Sequence, residues 1–376
     1  MNIVYGFLCL FFLILFHEFG HFLAAKKFGV KVESFSIGFG PVLLHKKYKG
    51  TDYRLSLIPL GGYCGMKGEK DFQKSLEAKL DHIEAEEDSL YGIHPVKRAV
   101  IAFAGPFFNL FFTFFAFFLI ALIGYTYYSY SAKVIMADEV YENVKSAAKQ
   151  AGMQTGDVIT RINGKEILNF SDIVTEISSR PDEYVIIEVN RNDTPLKFTV
   201  RTELDKASGT GKIGVTADTE TAAQYTVESL SFFPAIWKGI TETADALRLT
   251  VTGLSTLFKG VDIKETVSGP ARIADMLGTT AVQSFSESFI TGIINMFSFL
   301  AYISISLFIM NLLPVPILDG GLILFALIEL VTRKKIPPKV LYYIQFIGLA
   351  FIIALFCIGF SGDVAYFLNN FRGIQK

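Results

Sequence analysis

His17-Glu18-Phe19-Gly20-His21 is an HExxH stretch, and its first histidine closes an almost unbroken apolar run from Ile3 to Phe16. On an α-helix the two histidines lie four residues apart, so both rings project from one face at a spacing that grips a single metal ion. Glu18 stands beside them as a general base. The chain holds five His in 376 residues, and chance alone would place an HExxH in about one chain in 300 of that composition. Lys26 and Lys27 mark the polar end of the segment. At about 1.5 Å per residue, His17 sits roughly 13 Å inside that end, at hydrocarbon depth, where ionisable groups are costly and mark function. Histidines merely satisfied within a helix bundle are the plain alternative, which does not account for a carboxylate at the same depth.

Composition agrees with a membrane location. Hydrophobic residues make up 51% of the chain, Phe alone contributes 36, and the formal net charge is −1. Such a balance describes an integral membrane protein rather than a soluble enzyme and gives no support to nucleic-acid binding. Cys9, Cys64 and Cys357 are far apart and form no CxxC, so neither a disulfide framework nor a zinc knuckle is expected. The N-terminal apolar run lacks a basic leader and continues through the HExxH, which makes it a retained transmembrane helix rather than a signal peptide.

Outward from that helix, expected over Ile3 to Ala25, two strand-like runs, Ser34 to Leu44 and Tyr53 to Leu60, flank Lys49-Gly50-Thr51-Asp52 and predict a hairpin. Glycines inside the runs, in Gly38-Phe39-Gly40-Pro41 and Pro59-Leu60-Gly61-Gly62, mark bulges or close backbone approach, so the hairpin is expected to dip toward the membrane and offer an edge to a peptide. An ordinary surface hairpin with glycine at its turns is the competing reading. Met66 to Ser89 is charged and reads as a solvated segment. A second span is expected from Ala99 to about Ile123, closed by Tyr125, Tyr127, Tyr128 and Tyr130 as an interfacial aromatic belt.

A soluble pattern follows from about Lys133 to Val215, with Asn163-Gly164 between apolar runs predicting a hairpin inside a small β-rich domain. Phe232 to Phe258 reads as an amphipathic helix. Phe289 to Leu313 is a third span, ending in Asn311-Leu312-Leu313-Pro314-Val315-Pro316-Ile317-Leu318-Asp319-Gly320-Gly321. Prolines and glycines break the helix there inside apolar sequence, which is tolerated only where protein or a cavity covers the freed backbone. Leu322 to Val331 and a last span over roughly Val340 to Phe360 complete four core transmembrane helices. Lys26, Lys27, Lys31, Lys97, Arg98, Arg333, Lys334, Lys335 and Lys339 fall on the side reached after the first helix. That side is therefore expected to be cytoplasmic, with the β-rich domain outside.

The HExxH, the Asn-x-x-Pro-x-Pro-x-Leu-Asp-Gly run and the inserted domain together resemble the site-2 protease family of intramembrane zinc metalloproteases, in its bacterial RseP type. Ile37 to Pro41 and Leu60 to Tyr63 look like the family's re-entrant loop, Ala104-Gly105-Pro106 to Asn109 like its second-span motif, and Ser268-Gly269-Pro270 like its segment before the third span. The inserted domain looks like a PDZ domain, although members of this type often carry two in tandem and residues for one only are found here. The resemblance makes His17, His21 and Asp319 ligands of Zn2+, Glu18 the catalytic acid/base and Asn311 a holder of substrate main chain; Gly38, Gly40 and Gly61 are expected at the substrate through close backbone approach at the hairpin. Two imidazoles and a carboxylate leave a fourth tetrahedral position open, as a hydrolytic zinc site requires. Asp-Gly taken by itself is commonly just a turn.

The resulting expectation is a polytopic α-helical membrane protein with a membrane-associated β-hairpin and an inserted PDZ-like domain. Its segments are a membrane half over residues 1–130, the PDZ-like domain over 133–216, an amphipathic helical segment over 226–280 and a second membrane half over 285–376. The resemblance implies a multi-pass protein of the bacterial inner membrane that cleaves single-span membrane proteins, such as anti-sigma factors or remnant signal peptides. A catalytically silent scaffold binding partners through the PDZ-like domain is the rival from another class, opposed by the intact His17, Glu18, His21 and Asp319. A metal transporter is a second, opposed by the lack of repeated intramembrane acidic sites.

Overall fold

The computed structural model describes residues 2–142, 144–261 and 268–373. Residues 1, 143, 262–267 and 374–376, which fall within the four segments expected from the sequence, lie outside the described residues. Among the described residues, four helices are long and apolar enough to cross a membrane: Asn2–Lys27, Pro95–Ile123, Phe289–Leu312 and Pro338–Leu368. They match the four expected spans; the first, second and last run further than the expected apolar core because helical hydrogen bonding continues past the last lipid-compatible side chain, whereas the third ends at Leu312, one residue short of expectation. The chain divides into two compact units, one comprising Met1–Ile120, Phe232–Ala246 and Ser268–Lys376, the other Ala121–Ser231 and Leu247–Val267.

In the first unit, the first spanning helix packs against a further helix, Pro270–Glu287, that the sequence left inside a general amphipathic segment. Small residues set that approach: a Cβ added at Gly6 would lie 1.8 Å from the Ala274 carbonyl oxygen. The start of Pro270–Glu287 is held by Asp363 of the last helix, whose carboxylate accepts from Gly269 N–H at 2.9 Å and Ala271 N–H at 3.0 Å. A carboxylate there satisfies amides that have no partner within the helix and complements its positive end.

The hairpin consists of strands Val32–Tyr48 and Thr51–Met66. Ser34, Phe35, Ser36 and Ile37 each pair twice, with Gly65, Cys64, Tyr63 and Gly62 on one side and with Asp52, Tyr53, Arg54 and Leu55 on the other. The two long strands therefore fold back so that four extended segments lie side by side, in the order 62–66, 32–37, 51–56 and 42–48. Gly38 makes the crossing possible: it sits at φ +89°, and a Cβ there would lie 2.9 Å from the carbonyl oxygens of both Ser56 and Ile58.

The second unit is β-rich. Its largest sheet has the order Lys165–Glu166, Val158–Ile162, Tyr184–Arg191, Thr194–Arg201. Val134, Met136, Met153, Ile159, Ile173, Ile187 and Val200 are among the residues of its core. Asn163 and Gly164 both adopt positive φ, as the expected two-residue turn demands. Helix Phe170–Ser178 starts from a capping box between Asn169 and Asp172. Tyr125, Tyr127 and Tyr128 lie in a strand, Tyr125–Ser129, paired with Ala223–Val227, and Tyr130 follows it. The expected aromatic belt is thus part of a β-ribbon at which the chain enters and leaves the unit. Alternating tyrosines suit a strand as well as an interface.

Candidate metal centre

Helical spacing puts His17 and His21 on one face of the first helix, and both are buried. Their Nε2 atoms are 3.1 Å apart. Asp319, the first residue of helix Asp319–Thr332, brings Oδ2 to 3.1 Å from His17 Nε2 and Oδ1 to 3.3 Å from His21 Nε2. The helix break supplies that placement. Phe289–Leu312 stops before Pro314, a turn closed by Leu318 N–H donating to the Val315 carbonyl at 2.9 Å follows, and Asp319 opens the next helix.

Hydrogen bonding at the far side of each ring decides what the near side offers. His21 Nδ1 is 2.8 Å from the Ile101 carbonyl oxygen, which only accepts, so Nδ1 carries the hydrogen and Nε2 presents a lone pair. His17 Nδ1 lies 3.1 Å from the Asn109 side-chain amide. With the amide nitrogen turned to His17, Asn109 Oδ1 is buried without a partner. Rotating the amide lets Oδ1 accept from His17 Nδ1–H and leaves the second Nε2 as a lone pair too. The Asn109 backbone carbonyl is itself fixed by the hydroxyls of Thr113, at 3.1 Å, and Ser304, at 2.9 Å.

Ligand atoms of His17, His21 and Asp319 all lie within 4.8 Å of one another. Lone pairs converging with no hydrogen between them repel unless a cation sits among them, and two imidazoles with one carboxylate are the donor set of a hydrolytic zinc site. The second span makes room for that cation. A Cβ added at Gly105 would lie 2.2 Å from His21 Nε2 and 2.7 Å from His17 Nε2, so the helix presents bare backbone there. Pro106 follows inside the same helix and has no N–H to give the Ala102 carbonyl.

A cavity of about 300 Å³ opens on these groups. Glu18, Cys64, Glu69, Arg98 and Asn311 line it together with His17, His21 and Asp319. Glu18 Oε2 accepts from Cys64 N–H at 3.0 Å, which ties the candidate base to the outer strand of the hairpin. The HExxH, Asp319 and Asn311 are thus brought together. Gly38, Gly40 and Gly61 are not among the residues lining the cavity. Gly38 and Gly40 face Ser56 and Ile58, and Gly61 faces the Phe39 ring, so these glycines serve the fold-back of the hairpin.

Sequence reasoning passed over several neighbours. Arg98 and Glu329 form a buried ion pair. Arg98, one of the basic residues expected on the cytoplasmic side, is 3% exposed, and its guanidinium lies 5.0 Å from the Tyr91 ring centroid. Burial pushes the Tyr91 hydroxyl up to about 12, so the ring stays neutral beneath the cation. Glu329 was the findable signal, a carboxylate inside an apolar helical run.

Residues 5–355 match the family model described as peptidase family M50. The chain belongs to peptidase family M50. Its relatives include proteins described as zinc metalloproteases in Treponema pallidum, 34% identical over 449 aligned positions covering 98% of this chain and 100% of that one, and in Campylobacter jejuni, 35% identical over 369 positions covering 96% and 92%. The regulator of sigma-W protease RasP of Bacillus subtilis is 28% identical, covering 97% of this chain and 98% of its own. The Treponema alignment is longer than the 376 residues of this chain, so that relative carries residues for which this chain has no counterpart. A solved PDZ domain of an SdrC-like protein from Listeria monocytogenes matches 24% of this chain and 88% of its own at 22% identity, with a TM-score of 0.19, which carries no argument. Membership of this family and four helices able to span a bilayer make the chain a multi-pass membrane metalloprotease.

Proposed function

We propose that this chain is an intramembrane zinc endopeptidase of a bacterial cytoplasmic membrane, cutting in or near the membrane segment of single-span proteins such as anti-sigma factors or remnant signal peptides. The convergence of His17 Nε2, His21 Nε2 and the Asp319 carboxylate, with Glu18 in the same cavity, carries the reading. In it, those three side chains hold zinc, and the β-rich unit is a PDZ-like domain on the extracytoplasmic side.

Zinc held by His17, His21 and Asp319 would supply a Lewis acid for the scissile carbonyl and for a water whose pKa would fall toward about 7. Glu18 accepts the proton of the attacking water and passes it to the leaving amine. Ile101 and Asn109 hold the two imidazoles in the tautomer that keeps both Nε2 atoms turned inward. A helical substrate shields its carbonyls in its own hydrogen bonds, so a stretch must first be drawn out. The outer strand of the hairpin, over residues 62–66, supports that step because an open edge pairs main chain without demanding particular side chains. A substrate carbonyl taking the Cys64 N–H releases Glu18 for proton transfer, and Asn311, which lines the same cavity, steadies the extended segment.

The test is incubation of the purified protein in detergent with a panel of single-span peptides, with and without a chelator. Cleavage that stops on chelation and returns with zinc is expected. Cleavage indifferent to the chelator, or no cleavage of any peptide by zinc-loaded protein, overturns the reading.

A further inference from the structure

Backbone amides two residues apart on an extended strand point the same way. At the end of the hairpin, Lys67 N–H turns inward and donates to the Lys31 carbonyl at 2.8 Å. The alternate amides turn outward, and both Cys64 and Met66 give theirs to a carboxylate. Cys64 N–H donates to Glu18 Oε2 at 3.0 Å, and Met66 N–H donates to Glu69 Oε1 at 2.8 Å. Glu69 lines the same cavity as the histidines and Asp319, and it is exposed. Along one edge, the protein's own carboxylates therefore hold two successive donors that an added strand would use. Glu18 has a further part to play there; for Glu69 the mechanism has none.

We propose that Glu69 is a specificity-determining residue that occupies, at Met66 N–H, the place of a substrate main-chain carbonyl. The inference rests on the strand-addition reading above. A segment unwound over one outward pair displaces Glu18 alone; a segment unwound over two must also displace Glu69. The exposed Glu69 side chain swings out readily, but its hydrogen bond competes with the incoming carbonyl. It thus disfavours targets whose helix resists unwinding beyond the scissile bond. Removing the side chain removes the competitor, and one hydrogen bond corresponds to about a two- to tenfold change in binding.

The experiment compares Glu69→Ala and Glu69→Gln with the parent full-length protein, each zinc-loaded in detergent, on a single-span peptide. For Glu69→Ala, KM is expected to fall about two- to tenfold, with zinc still bound at one per chain. Glu69→Gln keeps an oxygen that accepts from Met66 and is expected to shift KM less. In parallel, hydrogen exchange at the Met66 amide is followed in a Glu18→Gln background, so that the peptide stays intact. Exchange is expected to speed up in the Glu69→Ala protein and to slow again when peptide is added. A KM that is unchanged or raised in Glu69→Ala, while peptide still protects Met66, overturns the role of Glu69 and leaves strand addition standing. If peptide protects Met66 in neither protein, strand addition at this edge fails and the proposal fails with it.

Discussion

His21 Nδ1 lies 2.8 Å from the carbonyl oxygen of Ile101, eighty residues away on the second span. A helix carbonyl four residues short of Gly105 and five short of Pro106 thereby sets the tautomer of a candidate metal ligand on another helix. The same helix supplies the clearance at Gly105. Gly105→Ala would put a methyl group 2.2 Å from His21 Nε2, so zinc content measured by metal analysis is expected to fall well below one per chain while the protein still extracts and purifies as a folded membrane protein. Full zinc occupancy in this variant would mean that the metal sits elsewhere.

Glu18→Gln is expected to keep its zinc, because Glu18 is not among the converging ligand atoms, and to lose about 10²- to 10⁴-fold in cleavage rate, the range for a missing acid/base. Rate and metal content measured on the same preparation check this. Near-parental turnover with zinc in place would assign the proton transfer to another group.

The Arg98–Glu329 pair ties the helix carrying Gly105 to the helix that begins at Asp319. Removing one partner strands a buried charge, for which about 3–5 kcal/mol of destabilisation is typical. Arg98→Met and Glu329→Leu are each expected to lower the thermal midpoint in detergent and to weaken zinc retention. The double substitution is expected to recover most of the midpoint, because apolar side chains replace a buried ion pair at little cost. A double variant no more stable than either single one would show that the pair does more than hold the helices together.

Topology offers a separate check. The turn at Asn192-Asp193 joins two strands of the β-rich unit, and a reporter inserted there is expected outside the cytoplasm. One inserted near Lys79 is expected inside. The reverse result would overturn the orientation drawn from the basic residues.

The candidate metal site was legible because its chemistry needs rare residue types at fixed spacings: His17 and His21 share a helical face with Glu18 beside them, and Asp319 sits at a break that apolar sequence does not otherwise tolerate. What lay hidden depends on contacts distant in sequence or made by backbone. Arg98 and Glu329 are 231 positions apart, and nothing local tells a cytoplasmic arginine from a buried one. The Ile101 carbonyl carries no side-chain signature at all. Glycines at 38, 40 and 61 announced close approach correctly, but sequence does not say what approaches. Here it is the hairpin's own opposite strand and the Phe39 ring, because residues 34–37 pair on both sides and the chain must cross over itself. For Tyr125 to Tyr130 the sequence left the backbone conformation open: amphipathic aromatics serve a bilayer interface and a half-exposed strand equally well.

The fold-back of the hairpin leaves its sheet with two unlike margins. One, over residues 42–48, follows Pro41 and carries His45, Lys46 and Lys47, all exposed. Proline and lysine on a margin discourage pairing with a neighbouring copy of the chain. At the other, over 62–66, Glu18 and Glu69 hold the Cys64 and Met66 amides. Unguarded β-margins in a crowded membrane would invite the proteases to stack on one another or on partly unfolded proteins. Under the proposed strand addition, one margin discouraging pairing and the other taken by two carboxylates would let the sheet admit a single added strand without seeding an assembly.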